Sequence, residues 1–406
     1  MHNYFIRYEK IEEKCMDCKI CTSVVKCPSP DICAGCSSCY LACPYEAIRP
    51  RMVSVKDEVY IVIDGEKVSV PSGVTLKLAL EFLGYKFSRF PEKGDSVIYA
   101  PCETGGCYTC SVIVDGELRP LCHTVVREGM NINMNTEDTD PLRIVEGYIP
   151  HTVGGVGTPW WIKGRGYIEV ACFAAGCNLR CPTCQNFTIT YNSRLAPITP
   201  EKCAYMLSLA RKKYGVDRMA ISGGEPTLNR RWLIRFFKEL RRLNSDRKAR
   251  LHLDTNTTVL TRDFIDELVE AGVTDIGPDI KAMDIETFKM ITGINDGDLA
   301  RKYLENSWDA LRYMIDNYYP EKLFIGIGIP YNKAFYPDLE KLAKFGEAIA
   351  KIHPEIQVCV LDYRPEFRAR NLKRPTVEEM IKVKKTLNNA GLKTVIVQTP
   401  IGHIGP

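Results

Sequence analysis

The sequence predicts an α/β fold, a partial (β/α)6 barrel of the TIM type preceded by smaller cysteine-rich units. From Tyr167 onward, apolar strand candidates alternate with helix patterns, which is typical of repeated βα units and a parallel sheet. Of the 18 cysteines, 14 lie before residue 178, and most are grouped at spacings of two to five. With 406 residues, of which 45% are hydrophobic, the chain is long enough for two to four domains.

Composition and charge exclude several functional classes. The 54 Lys and Arg against 50 Asp and Glu give a net charge of +4, so we expect no nucleic-acid partner. No apolar run approaches the ~18 residues that cross a bilayer, and the chain opens without a signal peptide, so we expect a cytoplasmic protein and no membrane partner. In such a chain, closely spaced cysteines predict metal or iron-sulfur ligation rather than disulfides.

Local signals place the elements and the domain boundaries. The strand candidates are YIEVAC, RMAIS, RLHLDT, DIGPDI, LFIGIGI, IQVCVL and TVIVQT. Thr199 is an expected N-cap before Pro200, and a helix over about 377–390 should end at Gly391. The polar stretch 131–141 and the glycine-rich stretch 151–159 are the expected boundary. The predicted domains are 1–54, 55–150, 151–335 and 336–406.

The sharpest motif is ACFAAGCNLRCPTCQN, in which Cys177, Cys181 and Cys184 have C-x3-C-x2-C spacing just after a predicted strand. Three thiolates hold a [4Fe-4S] cluster with one iron open, and an open iron can bind and cleave a small molecule. A three-cysteine zinc site is the alternative. The motif resembles that of the radical S-adenosylmethionine (SAM) superfamily. The resemblance implies that SAM chelates the open iron, and that one electron cleaves it to a 5'-deoxyadenosyl radical.

A second motif, SGGEP, follows the next strand and contains Gly223, Gly224 and Glu225. It resembles the GGE element that holds the methionine amine of SAM in that superfamily. Glycines allow close backbone approach, and a carboxylate can meet an ammonium group. A simple turn is the alternative interpretation of these residues.

Two further motifs, LDTN and PDIK, stand at the ends of the third and fourth strand candidates, the edge where barrel sites are built. They resemble elements of the glycyl-radical-activating branch, which implies SAM contacts at Asp254, Asn256, Asp279 and Lys281. Thr257 departs from the glycine of that branch. A structural ion pair between Lys281 and a neighbouring carboxylate is the alternative.

Two cysteine runs lie between residues 15 and 43. The run of Cys33, Cys36, Cys39 and Cys43 has the C-x2-C-x2-C-x3-C-P spacing of bacterial ferredoxins, and beside it stand Cys15, Cys18, Cys21 and Cys27. In two-cluster ferredoxins the fourth cysteine of each run serves the other cluster, so Cys43 would complete the first set and Cys27 the second. Because the joining segment is short, one cluster with a zinc or an unused set is the alternative.

A third constellation, C-x4-C-x2-C-x11-C, consists of Cys102, Cys107, Cys110 and Cys122. It resembles the [2Fe-2S] β-grasp ferredoxin domains, and the flanking strand, Asp-Gly turn, strand and helix patterns agree with that fold. A single iron in tetrahedral sulfur geometry is the alternative. Tyr108 stands where such domains usually carry glycine, and it is either a packing residue or a ligand for an open iron.

The order of these blocks resembles the methanogenesis-marker radical SAM methyltransferase family over nearly the whole chain. The resemblance implies methylation of the δ-carbon of an arginine in the methyl-coenzyme M reductase alpha subunit, with cobalamin as methyl carrier and a ferredoxin-type electron donor. It implies that Tyr108 approaches the open iron when SAM is displaced. The implied cofactors are the SAM-binding [4Fe-4S] cluster, SAM, one or two auxiliary [4Fe-4S] clusters, a [2Fe-2S] cluster or mononuclear iron, and cobalamin.

Other features bear on this interpretation. The sequence has no D-x-H-x-x-G cobalamin motif, and 336–406 is a possible cobalamin-binding region. The basic stretch VLDYRPEFRARNLKRP is expected to be a solvated loop and helix start. Cys172, Cys203 and Cys359 should be buried packing residues, while Trp160 and Trp161 should cover an open end of the barrel. A glycyl-radical-enzyme activating enzyme and a multi-cluster electron-transfer protein are the alternative functions.

Overall fold

The computed structural model describes residues 3–92, 97–162 and 166–406. The chain forms two compact units. The first unit comprises Met1–Glu146, Ala174–Asn178 and Asn186–Thr199, and the second comprises Gly147–Phe173, Leu179–Gln185 and Pro200–Pro406. Within the described ranges, no helix has both the length and the apolar character needed to span a membrane.

The first unit begins with a two-stranded ribbon that encloses the first eight cysteines. Strand β1 (Asn3–Lys10) pairs antiparallel with β2 (Ile48–Val55), and helices α1 (Ile20–Ser23) and α2 (Ser38–Ala42) lie between them in the chain. Cys43, Ala47 and Ile48 form a small buried core, against which Cys15, Cys21 and Cys39 pack. The cysteine-rich segment is therefore folded around its own sulfur atoms.

The rest of the first unit is built on a five-stranded sheet with the order β4-β3-β9-β7-β8. The sheet consists of β3 (Glu58–Ile63), β4 (Glu66–Pro71), β7 (Ser111–Val114), β8 (Glu117–Pro120) and β9 (Asn131–Asn133). Helix α3 (Leu76–Phe82) follows β4 in the chain, and β5 (Lys86–Ser88) and β6 (Val97–Tyr99) pair in parallel as a separate two-stranded sheet. The expected hairpin turn is present at Asp64 and Gly65, which have φ angles of 49° and 90°. Helix α3 buries Leu76, Ala79 and Leu80 in the core. The predicted strand-turn-strand-helix pattern is confirmed.

A nine-stranded sheet dominates the second unit, and its strand order follows the chain. The strands are β10 (Val145–His151), β11 (Glu169–Ala174), β12 (Arg218–Gly223), β13 (Arg250–Thr255), β14 (Asp275–Pro278), β15 (Phe324–Tyr331), β16 (Gln357–Asp362), β17 (Thr394–Thr399) and β18 (Gly402–Ile404). Neighbouring strands from β12 to β17 pair in parallel, and β18 is antiparallel to β17. The seven strand candidates correspond to β11 through β17.

Helices follow the strands as repeated βα units require. After the short α4 (Phe187–Thr190) come α5 (Pro200–Tyr214), α6 (Arg230–Leu243), α7 (Arg262–Glu270), α8 (Ile285–Thr292), α9 (Gly297–Tyr318), α10 (Glu340–Ile352) and α11 (Val377–Asn389). Helix α5 begins at Pro200 as predicted, and α11 is followed by Gly391 at a φ of 104°. Cys172, Cys203 and Cys359 are buried, as expected.

The glycine-rich stretch 151–159, part of the predicted boundary, is packed against the sheet of the second unit. A Cβ atom on Gly157 would lie 2.6 Å from the Gly277 nitrogen and from His252 Nε2, and one on Gly326 would lie 2.3 Å from the Val156 carbonyl oxygen. The stretch therefore crosses β13, β14 and β15 at backbone contact. Only glycine permits this approach, because any side chain would collide with the strands.

The two tryptophans lie at the amino ends of the strands. The Trp160 backbone N–H donates to Gln357 Oε1 at 2.9 Å, and the Trp161 ring meets the Phe324 ring edge-on with centroids 5.3 Å apart. Gln357 and Phe324 are the first residues of β16 and β15. The tryptophans thus cover the end of the sheet opposite the carboxyl ends of the strands, as expected.

Candidate active site

The predicted SAM contacts of the second unit lie where neighbouring strands end. Glu225 follows β12, Asn256 follows β13, and Asp279 follows β14. Because these strands are parallel neighbours, their carboxyl ends meet at one edge of the sheet, where sites of barrel enzymes are built.

Glu225 is fully buried and connects two of these turns. Its Oε1 accepts from the Thr227 backbone N–H at 3.0 Å and from the Thr255 hydroxyl at 2.8 Å, and its Oε2 accepts from the Asn256 N–H at 2.6 Å. Burial raises the pKa of the carboxyl group, and these donors oppose the rise. The carboxylate therefore holds the GGE turn to the end of β13.

We expect Glu225→Gln to lower the free energy of unfolding and to weaken SAM binding. The glutamine amide would direct N–H donors at groups that already donate, and an unmade buried hydrogen bond costs about 1–3 kcal/mol. If displacement of the turn costs about 1.4 kcal/mol of the binding free energy of SAM, the Kd for SAM rises about tenfold. Urea unfolding and equilibrium dialysis measure the two effects. Glu201→Gln, on the surface of α5, is the control, and equal stability and affinity for both variants would refute the assignment.

Asn256 and Thr257 form a tight turn after β13. Asn256 Oδ1 accepts from the Thr258 backbone N–H at 3.1 Å and from its hydroxyl at 2.6 Å. Thr257 has a φ of 60° and is fully buried. A β-branched residue rarely adopts this left-handed conformation, which glycine adopts freely. The departure from the glycine of the related motif therefore preserves the backbone conformation at that position.

Lys281 is buried and pairs with Asp279, as the structural alternative predicted. Its Nζ donates to Asp279 Oδ2 at 2.7 Å and to the Tyr363 hydroxyl at 3.2 Å. Burial opposes the charge, but Asp279, Tyr363 and Cys181 raise the pKa of Lys281 well above its usual value. The site thus contains a fixed cation beside one of the predicted cluster cysteines.

Cys181 and Cys184 lie on one turn of the second unit. The Cys184 N–H donates to the Cys181 carbonyl at 3.1 Å, and burial raises the pKa of the Cys181 thiol to about 12, although Lys281 opposes the rise. Metal binding replaces the thiol proton, and an adjacent ammonium stabilises the resulting thiolate. These residues therefore fit cluster ligation. Cys177 belongs to the first unit, with its Sγ 4.0 Å from Asn178 Oδ1.

The basic C-terminal stretch contributes to this site, which corrects its prediction as a solvated loop. The backbone N–H groups of Arg368 and Ala369 both donate to the Pro182 carbonyl at 3.0 Å. Tyr363 is 8% exposed, and Arg374 Nε donates to the buried Asp362 at 2.6 Å. Arg370, Lys373 and Arg374 are exposed, so the prediction holds for part of the stretch only. Its position after β16 is the sequence signal that could have placed it at the site edge.

Asp254 belongs to a polar network inside the second unit. Its Oδ1 lies 3.0 Å from His252 Nε2, and a Cβ atom on Gly155 would lie 2.3 Å from its Oδ2. Arg218 donates to Glu169 at 3.0 Å in the same network. Although burial raises it, the pKa of Asp254 is lowered by His252 and Arg218. The carboxylate is thus held between the glycine-rich stretch and His252, and its contact with SAM stays a prediction.

The first eight cysteines lie in the N-terminal part of the first unit. Burial and the nearby thiols of Cys43, Cys18 and Cys15 raise the pKa of the Cys21 thiol, and burial with Cys36, Cys33 and Cys27 raises the pKa of Cys39 to about 12. The assignment of Cys43 to the first set and of Cys27 to the second stays a prediction. Backbone N–H groups donate to two of the sulfur atoms, from Tyr8 to Cys33 and from Ala47 to Cys43, each at 3.3 Å. Such bonds are typical of iron-sulfur sites.

The four-cysteine loop buries all its sulfur atoms. Cys107 Sγ lies 3.1 Å from Cys102 Sγ, and the Cys122 thiol bonds to those of Cys102 and Cys110. In the described ranges no three His, Cys, Asp or Glu side chains already stand at metal-ligand geometry. Four sulfurs about 2.3 Å from one metal in a tetrahedron would be ~3.8 Å apart, so a small opening of this set would accommodate one. The loop fits a compact iron centre.

Tyr108 has a φ of 58°, so it occupies the conformation that the glycine of related loops would adopt freely. Burial raises the pKa of its phenol. The side chain lines a groove of about 750 Å³ in the first unit, together with Arg119, His123 and Arg194. Its approach to an open iron stays a prediction.

Comparisons with known proteins identify two domains. The sequence profile of the radical SAM superfamily matches residues 172–345, and that of the 2Fe-2S iron-sulfur cluster binding domain matches residues 56–137. A probable GTP 3',8-cyclase from Methanococcus aeolicus is 29% identical over 136 residues, which cover 33% of this chain and 43% of that protein. One from Thermoplasma volcanium is 30% identical over 134 residues, or 33% of this chain and 39% of that protein.

The chain spans about two fifths of the length of these curated relatives. Among solved structures, SuiB of Streptococcus suis bound to S-adenosylmethionine aligns with a TM-score of 0.41 and 15% identity, over 54% of this chain and 48% of that one.

Proposed function

We propose that this chain, a radical SAM enzyme with a 2Fe-2S-type domain, methylates the δ-carbon of an arginine in the methyl-coenzyme M reductase alpha subunit. The observation that supports this proposal is the combination, in one chain, of the radical SAM domain, eight closely spaced N-terminal cysteines and a four-cysteine loop with Tyr108 at a glycine-type position. The matches to GTP 3',8-cyclases cover a third of the chain, so their activity is not transferred.

The proposed chemistry requires a radical because an unactivated sp3 carbon has no acidic hydrogen. Nucleophilic attack on the methyl group of SAM therefore cannot begin at this carbon. Cys177, Cys181 and Cys184 would hold a [4Fe-4S] cluster with one open iron, which would supply the electron for reductive cleavage of SAM. We propose that the parallel strands form a partial barrel whose carboxyl edge presents these residues.

The chain's own residues would position SAM at that edge. Glu225 fixes the GGE turn, whose glycines allow close approach of the methionine group. Asp279 and Lys281 neutralise each other, and Tyr363 fixes the ammonium by a second hydrogen bond. Because the Lys281 ammonium group is buried, paired and hydrogen-bonded, its orientation is fixed. A fixed ammonium group favours one bound orientation of SAM.

Cobalamin enters the proposal through the family resemblance alone. Residues 336–406 add β16, β17 and β18 to the main sheet, and the strands β16 and β17 are largely buried. The segment stays a possible cobalamin-binding region, as predicted from the sequence. No step is derived through cobalamin.

The experiment uses the full chain, prepared without oxygen and loaded with iron and sulfide, with and without added cobalamin. A peptide carrying the target arginine of the reductase is incubated with SAM and a reductant. We expect a peptide heavier by one methyl group, with 5'-deoxyadenosine and S-adenosylhomocysteine in equal amounts. If the methylated peptide forms only when cobalamin is bound, cobalamin is the methyl carrier.

Other outcomes identify other functions. Cleavage of SAM without peptide methylation, together with a radical on a protein glycine, would favour an activating enzyme. Consumption of GTP in a parallel reaction would favour the activity named for the curated relatives. Either result would overturn the proposed methyltransferase while leaving the radical SAM chemistry in place.

A further inference from the structure

His252 is a fully buried histidine of the second unit, two residues before Asp254 on β13. Its Nε2 lies 3.0 Å from Asp254 Oδ1, and its Nδ1 lies 3.9 Å from Glu169 Oε2. The Asp254 side chain keeps 21% of its surface exposed, whereas the His252 side chain keeps none. The histidine therefore cannot touch a ligand at the carboxyl ends of the strands, but it contacts a residue that can.

Glycine backbone packs against this histidine and carboxylate. A Cβ atom on Gly155 would lie 2.6 Å from Asp254 Oδ1, and one on Gly157 would lie 2.6 Å from His252 Nε2. On β14, a Cβ atom on Gly277 would lie 2.5 Å from the same Asp254 oxygen. Only glycine permits such close approach, and the close packing leaves little room for either side chain to turn away from the other.

The segment that contains two of these glycines is itself held by buried side chains. Arg218 Nη1 donates to the Thr158 hydroxyl at 2.5 Å and to Glu169 Oε2 at 3.0 Å. Gln357 Nε2 donates to the carbonyl oxygens of Val156 and Thr158 at 3.3 and 2.8 Å. A buried ion pair contributes little net stability but can specify one arrangement of the chain. The glycines that pack against the carboxylate therefore belong to a fixed segment.

We propose that His252 is a positioning residue, which holds the Asp254 carboxylate in the orientation that contacts SAM. The inference rests on the proposed function, since it takes SAM as the ligand at this edge of the sheet. An imidazole N–H occupies one acceptor site of a carboxylate, and the remaining acceptor sites suit the hydroxyl or ammonium donors of SAM. A carboxylate that is oriented before binding loses less freedom when the ligand arrives, which strengthens binding.

The test measures the Kd for SAM by equilibrium dialysis, with the full chain prepared without oxygen, loaded with iron and sulfide and given no reductant. His252→Leu keeps a similar volume but has no donor, so we expect the Kd to rise roughly tenfold through loss of one charge-assisted contact. His252→Gln can place an amide N–H near the position of Nε2 and should restore a Kd near the parental value. His353→Leu, at a half-buried histidine that follows α10, is the matched control and should bind SAM as the parent does.

A double-mutant cycle shows whether His252 acts through Asp254. Asp254→Asn removes the charge, and we expect it to raise the Kd at least as much as His252→Leu does. Adding His252→Leu to Asp254→Asn should then change the Kd no further, because the effects of two residues in one contact are not additive. A purely structural histidine would weaken binding equally in both backgrounds, and that result would overturn the inference. A parental Kd in Asp254→Asn would overturn it as well.

Gly155→Ala displaces the same carboxylate while leaving the imidazole in place. We expect it to raise the Kd for SAM too, so this variant carries the test if His252→Leu does not fold. Parental Kd values in both variants would overturn the inference. Because the dialysis contains no peptide, SAM binding that depends on His252 without any peptide methylation would keep the positioning role and overturn the methyltransferase alone.

Discussion

Cys181→Ala is expected to abolish reductive cleavage of SAM while leaving the auxiliary iron in place. Cys181 is a half-buried predicted ligand in the second unit, whereas the N-terminal cysteines and the four-cysteine loop belong to the first unit. Removing one of three thiolates leaves the SAM cluster with too few protein ligands to persist. We expect 5'-deoxyadenosine production to fall to the background of a protein-free mixture, and iron content to fall by about one four-iron cluster.

Cys203→Ala is the control for this experiment. Cys203 is a fully buried cysteine on α5, and its Sγ accepts a hydrogen bond from the Tyr148 hydroxyl at 3.4 Å. Cys203 is more deeply buried than the half-buried Cys181, and it belongs to no cysteine motif. The control should cleave SAM at the parental rate. Retention of 5'-deoxyadenosine production by Cys181→Ala would exclude this cysteine from the cluster and with it the C-x3-C-x2-C assignment.

The residues at the carboxyl ends of the strands could be predicted from sequence, because short stretches of sequence determine where each strand ends. Apolar runs and turn residues locate each strand, and parallel strands bring their ends together whatever the details of packing. This reasoning placed Glu225, Asn256 and Asp279 at one edge, where the structure has them. The partner of Lys281 was also foreseen as an alternative, since a buried ammonium requires a carboxylate.

The remaining parts of the site depend on contacts between distant segments. Tyr363 reaches Lys281 across 82 residues, and no spacing pattern encodes that meeting. The stretch around Gly157 has the composition of a linker. Its packing is evident only in the structure, where β14 leaves no room for a side chain at Gly157. Composition signals flexibility and close approach in the same residues, so sequence alone cannot separate them.

The N-terminal cysteines are a separate case. Their spacing raised a doubt, because only five residues separate Cys27 from Cys33. The ferredoxin rule assigns Cys27 to the second set, whereas the short segment favours one cluster with a zinc or an unused set. The spacing and the segment length thus predict different ligand sets, so the assignment stays a prediction.

Gly176→Ala is expected to remove most of the iron from the four-cysteine loop. Gly176 has a φ of 83°, and a Cβ atom there would lie 2.9 Å from both Cβ and the backbone nitrogen of Cys107 and 3.1 Å from Cys102 Cβ. The left-handed conformation costs an alanine roughly 1–2 kcal/mol. The collision adds about 1–3 kcal/mol, typical of overpacking, and its relief displaces the cysteines themselves. Iron analysis and visible absorbance after anaerobic loading measure the loss.

Gly116→Ala separates the collision from the backbone strain. Gly116 has a φ of 86° in the β7–β8 turn, and nothing lies within 4 Å of the position of its Cβ atom. Both variants should lose similar stability from the left-handed conformation, but only Gly176→Ala should lose iron. Since Gly176 immediately precedes Cys177, the same displacement should also slow SAM cleavage. Full iron content in Gly176→Ala would show that the loop tolerates the collision and does not need this close contact to hold its metal.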